Sequence, residues 1–443
     1  MIALARRNAL QLSLAAAAVV GLAGCGGAGR PRTRRPQEIE GIELVSSDVR
    51  RAAGDPSLLD GVVAGLDGFA GSLYGELAAT ADGGNLVLSP YSVLVALGMT
   101  LTGAAGTTAD EMRTVLGVGD LGDRWHKGVN ALAAHVEGLA GRQERADGSK
   151  AELALSTANQ LFGQRDVAWA ADFLDLLAKE YGAGLRTVDF EAAVERARTA
   201  INAWVEHETH DRIVDLVPKG AVDPSTRLVL VNAIYLKAPW EEPFEKGLTS
   251  AGPFHRADGS VVDADLMRSS GLHASLARGD GWQSVALPYA GRDLAMTVVL
   301  PDEGGLDRVE ESVRSGGFAA FIAAGEPTAV DLTLPRWSFR AGASLKEPLI
   351  ALGMPAAFGD DADFTPMTEE DLSLVVADVV HQGFVAVDEE GTEAAAATAV
   401  IVAETAAPVA VPFVVDRPFL FVVHDVEHGT PLFVGRVSDP TAQ

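Results

Sequence analysis

The chain has a single cysteine, Cys25, in 443 residues. No internal disulfide can form, and because Cys25 lies in an N-terminal signal no thiol nucleophile is available. Positive charge is also scarce: 35 Lys and Arg stand against 61 Asp and Glu, a formal charge of −26. That balance argues against nucleic acid or heparin-like polyanions as partners. The one basic cluster is Arg30, Arg32, Arg34 and Arg35. It reads as a solvated linker, with a stem lying on an anionic membrane as the other reading. There is no Gly-x-Ser-x-Gly element to form a nucleophile elbow. No glycine-rich loop leads from strand to helix with a phosphate-binding pattern. His207-Glu208-Thr209-His210 spaces its histidines three apart rather than the four a helical zinc motif needs, with no third ligand nearby. His381 sits in an apolar segment and reads as a satisfied core residue. No enzyme, metal site or cofactor is expected.

What is present begins with Arg6 and Arg7, then an apolar run from Leu10 to Leu22, then Ala23-Gly24-Cys25. A charged start, a hydrophobic segment and small residues make an export signal. The run is short of the roughly 20 apolar residues of a spanning helix. The Leu-Ala-Gly-Cys end resembles the bacterial lipoprotein signal, in which the thiol is lipidated and the chain is cut before it. The resemblance implies a signal over 1–24 and an acylated Cys25 on the outer face of a bacterial membrane. Residues 25–56, rich in Gly, Pro and Arg, read as a flexible stem.

Apolar spacing predicts a helix over 58–79, a short buried strand over 85–88 and a central helix opened by Ser89 or Pro90. Thr108 or Asp110 is a candidate start for the next helix. A strand is expected over 152–162, then helices over 170–181 and 193–207. Leu228 to Leu236 is almost continuously aliphatic, which predicts a strand buried on both faces. Asn232 within it therefore needs a partner. Further strands are expected at 284–287, 294–300, 330–334, 372–387, 413–415, 419–423 and 432–437. No repeat or linker interrupts residues 57–438, so one α+β domain is expected over 57–443.

Near the C-terminus lies Asp388-Glu389-Glu390-Gly391-Thr392-Glu393-Ala394-Ala395-Ala396-Ala397-Thr398-Ala399-Val400. An acidic strand end meets one glycine, then very small side chains, then β-branched ones. Such a segment can change conformation with little steric resistance.

These features together resemble the serpin family over 57–440. The motifs, in order, are Asn85-x-x-x-Ser89-Pro90-x-Ser92, Gly103-Ala104-x-Gly106-Thr107-Thr108, Asn159-x-Leu161-Phe162, and Ile201-Asn202-x-Trp204-Val205 with Ile213-Val214. Leu230-Val231-Asn232-Ala233-Ile234-Tyr235-Leu236-Lys237-x-x-Trp240-x-x-Pro243-Phe244 follows. Then come Leu300-Pro301-Asp302-Glu303, Leu334-Pro335-Arg336, Asp416-Arg417-Pro418-Phe419 and Pro431-Leu432-Phe433-x-Gly435-x-Val437. The resemblance implies three β-sheets, about nine helices and an exposed reactive loop at about 390–412. It implies a suicide inhibitor: a serine protease attacks the loop, forms an acyl-enzyme, and is trapped as the cut loop inserts into the central sheet. A non-inhibitory member acting as a surface binding or structural lipoprotein is the other reading.

Counting from Gly391, the core-facing residues would be Thr392, Ala394, Ala396, Thr398, Val400 and Val402, all uncharged. Glu393 falls on the other register. The hinge is thus Glu389, Gly391, Thr392, Glu393, Ala394, Ala395, Ala396, Ala397 and Thr398. Ser89, Ser92, Asn232 and His381 match a cluster beneath the middle of the sheet, where strands part. A hydrogen bond from Asn232 to His381 is expected. Trp240 and Arg336 match the loop entry, with Arg336 expected to pair with Glu389, in bidentate fashion and with the little weight of an exposed pair. The bait bond is Thr405–Ala406 on a forward count; a backward count places Ala407 before the cut. Residues 402–407 contain no Arg, Lys or aromatic, which suits elastase-like or subtilisin-like proteases. A glutamyl endopeptidase cutting after Glu404 is a minority reading, and papain-like cysteine proteases are secondary targets. The protein is expected to be a monomer.

Overall fold

The computed structural model describes residues 39–323, 325–392 and 410–442. Cys25, the hinge residues Glu393 to Thr398, and Thr405 and Ala406 lie outside the described residues. Among the described residues, nine α-helices accompany two hydrogen-bonded strand networks, an α+β arrangement. The first network is the central sheet. Its order is Glu43–Val45, Leu185–Val188, Lys150–Gln164, Leu228–Pro239, Gly391–Thr392, Val376–Asp388 and Trp337–Ser344, with Gly141–Glu144 beside Lys150–Gln164. The second network has nine strands, from Val411–Val414 to Leu86–Leu88. Two of the three expected sheets are continuous within it, because the 19-residue strand Val261–Gly279 serves both.

The strand Leu228–Pro239 shows why the sheet is buried on both faces. Leu228, Leu230, Ile234 and Leu236 join the main core between the networks. Val229, Val231 and Ala233 point the other way, into a second core with Phe162, Ile201, Trp204 and Val205. The last three come from the helix Phe190–Glu208, which covers that face. Alternation of two apolar sets is what a doubly covered strand requires.

The helix Pro90–Leu101 is buried at every position. It lies between the networks, packed on Lys150–Gln164 and Leu228–Pro239 on one side and Pro431–Val437 on the other. The Ser89 side chain caps it by accepting from the Ser92 N–H, and Pro90 opens the first turn where its missing N–H is not needed. This placement brings Ser89 and Ser92 under the central sheet.

Three expectations differ from the structure. The folded body starts before residue 57: Glu43–Val45 pairs with Leu185–Val188, and Arg51 donates to Asn130 Oδ1 at 2.8 Å. A three-residue edge strand leaves little pattern within a Gly-, Pro- and Arg-rich stretch. The helix expected to start at Thr108 or Asp110 runs Gly106–Val115, and its Ala105 cap supplies no side-chain bond. The loop is entered later and left earlier than 390–412, because Gly391–Thr392 and Val411–Val414 are both strands.

Candidate functional site

The site is the seam between Leu228–Pro239 and Val376–Asp388. These strands pair directly and in parallel from Val376↔Leu228 to Gly383↔Ile234, with His381 opposite Asn232. At the far end another strand stands between them. Gly391–Thr392 pairs with Val387 and Asp388 on one side and with Ala238 and Pro239 on the other. The seam therefore widens from one strand spacing to two, from about 4.8 to about 9.6 Å.

The closed part is held by buried polar groups. Asn232 and His381 are 0% and 2% exposed. His381 Nδ1 meets Asn232 Oδ1, and His381 Nε2 accepts from the Ser89 N–H at 3.2 Å. Those partners require a neutral ring carrying its proton on Nδ1. Burial agrees, pushing the imidazole down to about 4. Asn232 Nδ2 donates to Ser92 Oγ at 2.7 Å and to Asn159 Oδ1 at 2.6 Å, and Ser92 Oγ donates to Asn159 Oδ1 at 2.7 Å. All four expected residues of the cluster meet here. Asn159 is a fifth member that was not anticipated. Its signal was its place opposite Asn232 on the neighbouring strand, where it joins the same face.

The widened end is built differently. Val376–Asp388 turns back through Glu389 and Glu390, with Glu390 N–H donating to Asp388 Oδ1 at 2.8 Å. Gly391 has φ +152, and a Cβ there would lie 2.3 Å from the Ala238 carbonyl oxygen, so only glycine fits. Thr392 is 3% exposed, and its Oγ1 is 2.6 Å from the Tyr289 hydroxyl. Burial raises the Tyr289 phenol pKa, which keeps the hydroxyl protonated. Trp240 stacks on the Tyr289 ring at 4.6 Å and 3°. Its Nε1–H donates to the Asp388 carbonyl at 3.0 Å and its backbone N–H to the Glu390 carbonyl at 2.9 Å. Tyr289 had no signal in the sequence, because it reaches the seam from the second network.

The expected ion pair is corrected in two respects. Arg336 Nε is 3.8 Å from Glu389 Oε2, and its Nη1 is 3.8 Å from Asp265 Oδ2, so the guanidinium is shared loosely and no bidentate pair forms. Glu389 is 4% exposed rather than solvated. Thr249 Oγ1 donates to its Oε1 at 2.7 Å, so the hydrogen bond to Glu389 comes from threonine while arginine contributes the loose ion pair on Oε2.

The central sheet thus carries Gly391–Thr392 as a short extra strand above a buried polar cluster. The chain belongs to the serpin family: residues 64–440 match the family described as Serpin (serine protease inhibitor). It is 35% identical to the leukocyte elastase inhibitor of Sus scrofa, over 84% of this chain and 97% of that one. The solved structure of Serpin48, a highly specific serpin of the insect Tenebrio molitor, matches with a TM-score of 0.74 at 30% identity, covering 85% of this chain and 98% of that one. Human thyroxine-binding globulin complexed with thyroxine matches at 0.76 and 26%, covering 87% and 100%.

Proposed function

We propose that this protein is a suicide inhibitor of serine endopeptidases and has no enzymatic turnover of its own. The observation that carries the reading is Gly391–Thr392, already seated between the two strands that a cut loop would have to part. The protease serine attacks the Thr405 carbonyl carbon, the Ala406 amine leaves, and an ester joins loop to enzyme. Insertion from Thr392 onward then carries the ester away from the site of attack before water can cleave it. Serpin loop insertion is an established instance of strand addition with release of stored strain. The native state is accordingly held kinetically. The absence of Arg, Lys and aromatics from residues 402–407 favours elastase-like or subtilisin-like targets. The likeness to a leukocyte elastase inhibitor supports the first class.

Incubation with elastase or subtilisin is expected to give a protease-bearing band that survives boiling in detergent. The released C-terminal peptide is expected to start at Ala406. Clipped product alone across a broad serine-protease panel would overturn the inhibitor reading in favour of a binding or structural serpin.

The signal-like start and Cys25 support a lipid anchor on the outer face of a bacterial membrane. In cells of such a host, a Cys25→Ser variant is expected to move from the membrane to the soluble fraction. Retention at the membrane would remove the anchor from the reading.

A further inference from the structure

Away from the seam, two histidines and a glutamate converge from segments almost 300 residues apart. His135 lies on the helix Trp125–Gly138. Glu427 and His428 lie in the turn between Phe419–Asp425 and Pro431–Val437. One ligand atom from each falls within 4.8 Å of the others. Glu427 Oε2 is 4.0 Å from His135 Nδ1, and Glu427 Oε1 is 3.9 Å from His428 Nε2. The two imidazole rings meet edge to face at 4.9 Å.

The supporting groups are more ordered than a surface cluster needs. Asp425 has a fully buried side chain. Its Oδ1 accepts from His135 Nε2 at 3.1 Å and from the His428 backbone N–H at 2.8 Å, and its Oδ2 accepts from the Thr430 N–H at 2.7 Å. One carboxylate thus orients the His135 ring and fixes the backbone of the turn that carries His428. With the proton on Nε2 engaged by Asp425, His135 Nδ1 presents a lone pair toward the Glu427 carboxylate. At 4.0 Å the two atoms are too far apart for a hydrogen bond and leave room for a cation between them. A carboxylate that holds the far nitrogen of a histidine is the usual support of a metal ligand.

We propose that His135 Nδ1, Glu427 and His428 Nε2 form a binding site for a divalent cation of the zinc class. Two imidazole nitrogens and one carboxylate suit zinc, with a fourth position left for water or a donor from another molecule. Tetrahedral ligands at about 2.0–2.1 Å from zinc lie roughly 3.3 Å apart, so ligand atoms now within 4.8 Å of one another must draw in by up to about 1.5 Å, most readily on the exposed, rotatable Glu427 side chain. The ion would clip the helix Trp125–Gly138 to the hairpin turn and stabilise the native state by mass action.

The test uses the untagged full chain stripped with chelator. Zn2+ at tens of micromolar is expected to raise the thermal midpoint by several degrees where Mg2+ does not, and Co2+ to give the visible absorption of a tetrahedral site. His428→Ala, on a turn whose loss leaves the core intact, is expected to weaken Co2+ binding at least tenfold. Asp425→Asn, a positioning change, is expected to weaken it 10- to 100-fold. His207→Ala is expected to leave it unchanged. Absence of both the shift and the spectrum would overturn the site. An unaltered titration in a His135→Ala, His428→Ala double variant would place any bound metal elsewhere and overturn it equally.

Discussion

Two stretches of one seam, less than ten residues apart along Val376–Asp388, are built on opposite principles. At His381 the flanking strands pair directly, over a polar cluster whose members satisfy one another. At Val387 they are held apart by Gly391–Thr392, with Tyr289 and Trp240 packed against the opening. An apolar filling in the middle would be stabilising in proportion to its area and would resist parting. A hydrogen-bonded cluster is strong only while it is complete, since a partner lost leaves a buried group unpaired at about 1–3 kcal/mol. A closure that must hold until a strand arrives, and then give way together, is better made of such groups. On the proposed mechanism, one end is primed for entry and the middle is set to resist it.

The sharpest way to break this contrast is at the primed end. Thr392→Arg would place a charge where the residue is 3% exposed and bonded to the Tyr289 hydroxyl. Burying it unpaired costs several kcal/mol, so the first step of insertion should be refused. About 3 kcal/mol on that step slows it roughly 100-fold. The variant is expected to be cut as a substrate, with detergent-stable complex falling by about that factor, and, because Thr392 is already seated in the native protein, its thermal midpoint is expected to fall as well. Complex formation equal to wild type would show that the seated threonine does not gate entry.

The two ends also differ in how far the sequence revealed them. Asn232 was legible because a polar residue in Leu228–Leu236 demands a partner, and the strand's alternation sends it to the same face as Leu230 and Ile234. His381 was legible in the same way. Asn159 escaped because it lies in an ordinary alternating strand, where a polar residue needs no explanation. At the entry, Gly391 stood out in the sequence as the one glycine after the acidic strand end, but its left-handed φ and the close approach of Ala238 did not. The Arg336–Glu389 pair was legible, but its loose geometry was not, because spacing along the chain does not report that Thr249 also reaches Glu389. Tyr289 was invisible because contacts between the two networks leave no periodicity in either strand. The long strand Val261–Gly279 and the edge strand Glu43–Val45 were missed, the first for its mixed polarity and the second for its brevity.

The closed middle makes a smaller prediction, in its response to acid. Burial holds the His381 imidazole at about 4, against 6.5 for an ordinary histidine. Between those values the unfolded chain binds the proton and the native one does not, so stability rises with pH. The contribution is fully present above about pH 6.5, is lost as pH falls toward 4, and levels off below. A difference of this size corresponds to about 3 kcal/mol in order of magnitude. His126 is also pushed down to about 4 by burial and slopes the same way. The variant that isolates the seam is therefore His381→Gln, which is neutral at every pH and able to accept from Ser89 while donating to Asn232. Its denaturation midpoint is expected to lose a substantial part of the decline between pH 6.5 and 4, the remainder belonging to His126 and to His424, whose imidazole burial also pushes down. Protonated His381 has no acceptor left for the Ser89 N–H, so the wild type should also lose its resistance to loop insertion faster than the variant over the same range. Identical pH profiles for the two proteins would mean that the middle of the seam is closed by something other than this cluster.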